Sequence, residues 1–567
     1  MHIPSRRVTE LLAERRATPK QVWEAAENRL AKHPSLGLNT AYEACDRWAD
    51  DPGRLAIIVR HSPDTPSQRW AYTDLARASS RLATALAAKG IRRGDRVAAL
   101  LPQGIEAYIA ALAIWRMGAI VVPLYPGFGV DGIAQRIGAA EPMAVIVDRS
   151  SAATLDSALS CSSALDPVII EVAEPGTEAA APDKIPHALS FWDLIDTSSA
   201  DTPLVNTAAH ETATLLYTSG TTGIPKGCLL PHSYLLTMQP FVRHSFALGN
   251  SDLFTSTSSP GWVNGLYSAG MCVTAEGRPR VIYTGRFDAQ SWLDILRQEN
   301  VSYLSSAPSA MRQLIPLSEQ QGLPPSLRAA ASAGEHLGAA LAGAWADLCP
   351  EPLQETYGTT EIGLVMATPA FDQSPHALGA LPAPVPGFEI ALMDDHGDVQ
   401  ENEGIIAVRN IGYVGCTGYS NAPEQWAKRW RGDWYLTGDM AIRDDTGQLW
   451  FKGRDDDLIV TSGYNVGPTE VEAAITLHPQ VRDVAVVAAP DPDRGSVVRA
   501  VIVAETNSDQ SQLAAEVKEL VRTRLGRHVY PRIIDFVAEL PRNQAGKVQR
   551  NILRDTYDPQ AEPAPAI

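Results

Sequence analysis

The 567-residue sequence predicts an α/β protein: a large N-terminal domain of doubly wound sheets carrying a small barrel-like subdomain, then a small α+β domain at the C-terminal end. Three observations predict it. Residues 36–150 alternate helical and strand patterns, and the rhythm resumes at Thr212 and runs to about Tyr357; a βαβ rhythm implies parallel strands covered by helices on both faces. From Gly379 to Phe451, short strands, glycines and prolines replace it, which suits an antiparallel or barrel-like subdomain. The last hundred residues form a compact set of their own, and a chain this long exceeds a single core.

Taken in order, Tyr72–Lys89 reads as an amphipathic helix, Asp95–Leu101 as a strand, Ile105–Met117 as a helix and Ala119–Leu124 as a strand; Gly132–Ala139 reads helical and Ala144–Val147 as a strand. The longest apolar stretch, Ala107–Tyr125, is broken by Arg116 and Pro123 and reads as a buried helix, Gly118 and a strand, not a membrane span. Residues 151–205 are rich in Ser, Ala and Pro and read as a surface connection with a few short elements. Glu211–Leu216 reads as a short buried strand, and a helix begins at His232. Near the end, Pro468 suits the first turn of a helix reaching His478. Strands follow over Val481–Ala489 and Val497–Ala504. Leu513, Val517, Leu520, Val521 and Leu525 then share one helix face, Ile533–Val537 is a last strand, and the Pro/Ala-rich tail Asp558–Ile567 reads as disordered.

Composition narrows the partners. A net charge of −17 argues against nucleic acid or an anionic membrane surface, and an anionic substrate must be met by locally placed cations. Cys45, Cys161, Cys228, Cys272, Cys349 and Cys416 are scattered without a C-x-x-C pair, which fits a reducing compartment. The N-terminus lacks the apolar core of a secretory signal, and Glu10, Glu14 and Glu24 weigh against a transit peptide; a soluble cytoplasmic protein is expected.

The chemistry centres on Tyr217–Gly227, Tyr-Thr-Ser-Gly-Thr-Thr-Gly-Ile-Pro-Lys-Gly. Its glycines (Gly220, Gly223, Gly227) let backbone N–H groups turn toward an anion; Thr218, Ser219, Thr221 and Thr222 donate further hydrogen bonds, and Lys226 supplies a point charge. That inventory suits a polyphosphate or an exposed turn, and Pro225 before the lysine excludes the Walker A spacing. Five further segments follow in order: Ser332-Ala-Gly-Glu-His336, Tyr357-Gly-Thr-Thr-Glu361, Trp434-Tyr-Leu-Thr-Gly-Asp439, Gly453-Arg-Asp-Asp-Asp457 continuing into Thr461-Ser-Gly-Tyr-Asn465, and Pro541-Arg-Asn-Gln-Ala-Gly-Lys547. Singly, each also reads as an ordinary turn or a solvated charge. Together they keep one register over Tyr217–Lys547.

In that order the motifs resemble the acyl-adenylate-forming superfamily; within it, Val122-Pro-Leu-Tyr-Pro-Gly-Phe-Gly-Val-Asp131 and Gly261-Trp-Val-Asn264 look most like short- and medium-chain acyl-CoA synthetases, and the likeness extends from about Asn39 to Lys547. The resemblance implies that Tyr357 packs on adenine, that Thr360 contacts the α-phosphate and that Glu361 helps hold Mg²⁺, with Gly358 and Thr359 in the same nucleotide-binding segment. It implies adenine-pocket backbone at Gly334 and Glu335, ribose contacts from Asp439 and Arg454, a hinge at Asp456 and a pantetheine channel beside Gly463. Lys547 takes the catalytic-lysine position, alongside Thr218, Lys226 and Glu361. Asn465 departs from relatives that carry an arginine there and leaves that phosphate contact in doubt.

The resemblance further implies domains at 1–455 and 456–567, the second mobile, with ATP, Mg²⁺ and coenzyme A as cofactors. Acetate-specific members place a tryptophan where this chain has Gly358, so space beyond acetate is expected; Trp262, Gly265 and Tyr267 are candidate pocket residues, and the aromatic pair also reads as ordinary core. The implied reaction activates a carboxylic acid, medium-chain aliphatic, to acyl-AMP and then to acyl-CoA. The alternatives are an aryl-CoA ligase or an acyl-AMP ligase that loads a carrier protein. No carrier-length tail follows Lys547, which disfavours a peptide-synthetase module.

Overall fold

The computed structural model describes residues 5–161, 165–173, 185, 187–199, 202–218, 225–334, 337, 339–349, 351–371, 377–410, 412–413, 415–454, 457, 459–461, 464–491, 495–506, 508–525, 530–542 and 547–556. The chain divides into two compact units: residues 1–378 with 382–389 and 409–433, and residues 379–381 with 390–408 and 434–567.

The first unit is built on two sheets, each with the wound topology the βαβ rhythm predicts. One has seven strands among the described residues, ordered Leu189–Ser190, Val168–Val172, Ala144–Asp148, Arg96–Leu100, Ile120–Leu124, Thr212–Thr218 and Lys226–Pro231. The other has eight: Gly363–Ala367, Gln354–Thr359, Ala329–Ser332, Tyr303–Ser306, Phe254–Ser256, Arg280–Tyr283, Leu55–Arg60 and Gln68–Ala71. Pairing is parallel through the middle of both sheets and antiparallel only at an edge. Such strands are covered on both faces, hence their continuous apolar runs; Leu55–Arg60 is buried from Ala56 onward. The helix Ile105–Arg116 is buried all round, Arg116 included, so the long apolar stretch is core, and no described helix is long and apolar enough to cross a membrane.

Two sequence expectations change here. The 151–205 region is more than a connection: it contributes the helix Ala152–Ser160 and a strand, Val168–Val172, that extends the seven-stranded sheet in parallel. Between the glycine-rich loop and the helix expected near His232 lies a strand the sequence reading lacks. Lys226–Pro231 returns as an antiparallel strand beside Thr212–Thr218, and the helix starts at Tyr234. Propensity missed this strand because its stability comes from a partner, not from its own Gly-Cys-Leu-Leu-Pro composition.

In the second unit, Ile390–Met393, Val399–Gln400, Glu403–Arg409, Trp434–Arg443 and Leu449–Arg454 make the antiparallel barrel-like sheet expected from the Gly/Pro-rich stretch. The C-terminal set is a three-stranded sheet, Val481–Asp491, Gly495–Ala504 and Ile533–Phe536, with the helices Pro468–Ile475 and Gln510–Leu525. Leu513, Val517 and Val521 pack with Val484, Val486 and Ile502, which is the apolar face the helical spacing predicts. The tail from 558 lies outside the described residues.

Candidate active site

The returning strand decides the geometry of the phosphate-type loop. Register pairs Thr218 directly with Lys226, Tyr217 with Gly227 and Leu216 with Cys228. Directly opposed residues in an antiparallel pair share a face, so Thr218 and Lys226 stand opposite each other at the mouth of the loop, with the Thr218 hydroxyl 3.9 Å from Cys228 Sγ. Ser219, Gly220, Thr221, Thr222 and Gly223, the interior of that loop, lie outside the described residues.

A third segment runs along the returning strand. Leu229 N–H donates to Gly418 O, Thr417 N–H to Leu229 O and Ser420 N–H to Gly227 O, at 2.9, 2.9 and 2.8 Å. Asn421 clamps the loop's end from both sides: its Oδ1 accepts from Gly227 N–H (3.0 Å) and its Nδ2 donates to Pro225 O (2.9 Å). A Cβ at Gly227 would lie 2.4 Å from Ser420 Oγ, so this close approach needs glycine. The arrangement delivers Tyr419, whose ring centre lies 5.6 Å from Lys226 Nζ and whose hydroxyl donates to Glu361 Oε1 at 2.7 Å. Lysine, aromatic ring and carboxylate thus form one contiguous group. The sequence motifs did not single out Tyr419 or Asn421; the only local signal is the turn-forming Ser420-Asn421 pair beside an aromatic.

Glu361 is held at the tip of the hairpin Gln354–Thr359/Gly363–Ala367, whose register slips between Tyr357 and Gly358. Its carbonyl accepts from Cys416 N–H (2.7 Å), and the Tyr234 hydroxyl donates to Thr360 O (2.9 Å). Tyr357, Gly358, Thr359 and Thr360 are all part-exposed along this hairpin. Two buried hydroxyls nearby, Thr359 Oγ1 and Ser332 Oγ, have no hydrogen-bond partner among the described residues. Both lie at the carboxyl ends of sheet strands, the ends at which open α/β sheets bind ligands. Gly334, two residues past one of them, adopts φ +100° with open space around it; Glu335 lies outside the described residues.

The acyl-pocket candidates divide. Trp262 is half-buried, its ring 5.7 Å from both Tyr125 and Phe128. Gly265 is required by packing, since a Cβ there would lie 2.1 Å from Ser259 O. Tyr267 is wholly buried; its hydroxyl is hydrogen-bonded to Thr214 (2.9 Å) and its ring packs between Trp115 and Tyr234, a core position.

In the second unit, Asp439 and Arg454 are register partners on neighbouring strands, and Arg454 Nη1 donates to Asp439 Oδ1 at 3.1 Å. Asp439 N–H donates to Thr437 Oγ1 at 3.1 Å. Lys547 is exposed at the end of a loop closed by Gln549 N–H donating to Pro541 O (2.8 Å). Asp456 and Gly463 lie outside the described residues.

Comparison with known proteins identifies the family. Residues 45–418 match the AMP-binding enzyme family and residues 470–547 match the AMP-binding enzyme C-terminal domain. The chain is 30% identical to the mitochondrial acyl-coenzyme A synthetase ACSM4 of Rattus norvegicus, over 94% of this chain and 92% of that protein. The fold is similar to the Brucella canis acyl-CoA synthetase (31% identity, TM-score 0.72, covering 94% and 96% of the two chains). It is also similar to ATP-bound MatB from Rhodopseudomonas palustris (27% identity, TM-score 0.80, covering 92% and 99%). The chain therefore belongs to the AMP-binding enzyme family, and within it to the AMP-forming acid–thiol ligases.

Proposed function

We propose that the chain activates a medium-chain aliphatic carboxylic acid with ATP and transfers the acyl group to coenzyme A. The observation that carries this reading is the Thr218–Lys226 pair at the loop mouth, joined through Tyr419 to Glu361. In the first step a carboxylate oxygen attacks the α-phosphorus; the P–O bond to pyrophosphate breaks and acyl-AMP forms. In the second, the CoA thiolate attacks the acyl carbon and AMP departs. Bringing two anions together makes the first step a matter of positioning and charge neutralisation.

Lys226 and the Thr218 hydroxyl meet the phosphates, Thr360 positions the α-phosphate, Tyr357 faces the adenine, and Asp439 with Arg454 takes the ribose hydroxyls. Lys547 serves the adenylation step alone, and the domain of residues 456–567 turns about Asp456 between steps. Mg²⁺ supplies charge neutralisation when bound with the nucleotide. The donor chemistry fits that role: a single carboxylate, Glu361, beside a polyphosphate is how Mg²⁺ is commonly held. Glu361 Oε1 already accepts from Tyr419, which fixes the carboxylate's orientation.

ATP–pyrophosphate exchange across a carboxylate panel tests the reading, which predicts exchange dependent on the acid. Lys547→Ala is expected to abolish exchange yet still convert supplied acyl-AMP and CoA to acyl-CoA. Equal loss of both half-reactions would contradict the role given to Lys547.

A further inference from the structure

We propose that Asn421 is a positioning residue for adenylation: its side-chain amide fixes the backbone on both sides of Lys226 and so sets where the ammonium meets the phosphates. This rests on the adenylation reading above and deepens it.

Lys226 opens the strand Lys226–Pro231, so it stands where that strand leaves its ladder. On one side the strand pairs with Thr212–Thr218, the last partner of which lies opposite Lys226. Backbone groups along a strand turn to alternate sides, and those turned the other way here belong to Gly227 and Leu229. The segment 417–420 binds Leu229 through both its N–H and its C=O, and Gly227 through its C=O. There the backbone pairing stops, and the Asn421 side chain supplies the next rung. Its Oδ1 accepts from Gly227 N–H (3.0 Å) and its Nδ2 donates to Pro225 O (2.9 Å). A primary amide presents an acceptor and a donor side by side, as a peptide group does, whereas a carboxylate presents acceptors alone.

Three observations point to positioning and not to general support. The two bonded groups belong to the residues immediately before and after Lys226, so one side chain brackets the lysine. Asn421 is itself an exposed residue, and surface side chains contribute little to fold stability. The same short segment carries Tyr419, whose ring lies beside Lys226 Nζ and whose hydroxyl donates to Glu361. The loop's cation and the carboxylate proposed for Mg²⁺ are thereby referred to one piece of backbone. Charge stabilisation at a transferring phosphoryl group works best when the cation is fixed in advance, because no ordering is then left to the moment of reaction. Pyrophosphate departs in the first step, so this demand on Lys226 ends before the CoA thiolate attacks.

The test compares Asn421→Leu, of similar shape with neither hydrogen bond, and Asn421→Asp, which keeps the acceptor, loses the donor and adds a negative charge. In Asn421→Leu, kcat of ATP–pyrophosphate exchange should fall about 10- to 100-fold, the loss expected when a positioning element shifts by up to about 1 Å. Conversion of supplied acyl-AMP and CoA should stay within about twofold of wild type, which a merely structural residue would not allow. Asn421→Asp should raise KM for pyrophosphate several-fold above that of Asn421→Leu, because a carboxylate there repels the anion. Both melting temperatures should stay close to wild type. Equal loss of the two half-reactions, lost exchange matched by a lower melting temperature, or exchange unchanged in both variants overturns the proposal. If Asn421→Leu fails to fold, the pyrophosphate KM of Asn421→Asp decides, and an unchanged value overturns it. Wild-type exchange with no acid at all is a different result: it defeats the adenylation reading itself, and this inference with it.

Discussion

Gly358 offers the sharpest test of the site's construction. A Cβ built there would lie 2.0 Å from Gly363 O and 2.8 Å from both Gly363 C and Leu364 Cα, all backbone atoms of the facing strand. Real Cβ contacts essentially never fall below 3.0 Å, so Gly358→Ala must move the hairpin by roughly 1 Å. Overpacking of this kind costs about 1–3 kcal/mol, and a 1 Å displacement of a positioning element costs on the order of 100-fold in rate. The hairpin carries Tyr357, Thr360 and Glu361, so the loss should appear with every acid in ATP–pyrophosphate exchange, together with a lower melting temperature. If Gly358 merely kept a pocket open, the alanine would shift preference toward shorter acids and spare the best of them. A variant with unchanged melting and exchange within about twofold of wild type for all acids would refute the backbone argument.

Other perturbations follow from the same geometry. Tyr419→Phe keeps the ring beside Lys226 but removes the hydroxyl from Glu361; the weakened carboxylate should raise the Mg²⁺ needed for half-maximal exchange several-fold, and an unchanged Mg²⁺ titration would remove Tyr419 from the site. Burial holds the imidazoles of His232 and His244 down to about 4, against about 6.5 in an unfolded chain. Between those values the unfolded chain binds protons the folded one does not. The stability they contribute is therefore complete above pH about 6.5 and is lost as pH falls toward 4, by up to about 3 kcal/mol each. Urea unfolding at neutral and mildly acidic pH should show a smaller acid loss for His232→Asn than for wild type, and parallel curves would exclude the linkage.

Several of these residues owe their importance to contacts that no local pattern announces. The Tyr217–Gly227 segment stands out in the sequence because glycines, hydroxyls and a lysine cluster there, whatever their partners in space. Lys226 facing Thr218 does not, because it depends on a strand held by its partner rather than by propensity. Tyr419 lies 58 residues beyond Glu361 and belongs to no recognisable signature; it reaches the site through backbone hydrogen bonds to the returning strand. Tyr267 reads as either pocket or core, since aromatic composition cannot distinguish a lining side chain from a core one, and only its complete burial separates the two.

The sequence by itself determined the α/β class, the wound sheets, the barrel-like region and the apolar face of the helix Gln510–Leu525. Each follows from periodicity, which is a property of neighbours along the chain. It also determined the family, because motif order survives where single motifs are ambiguous. Tertiary structure alone decided which groups touch: Asn421 clamping the loop's end, Tyr419 between lysine and glutamate, and Gly358 pressed against Gly363. Those outcomes depend on backbone approaches of a few ångströms between distant segments, and a one-dimensional pattern holds no record of such distances.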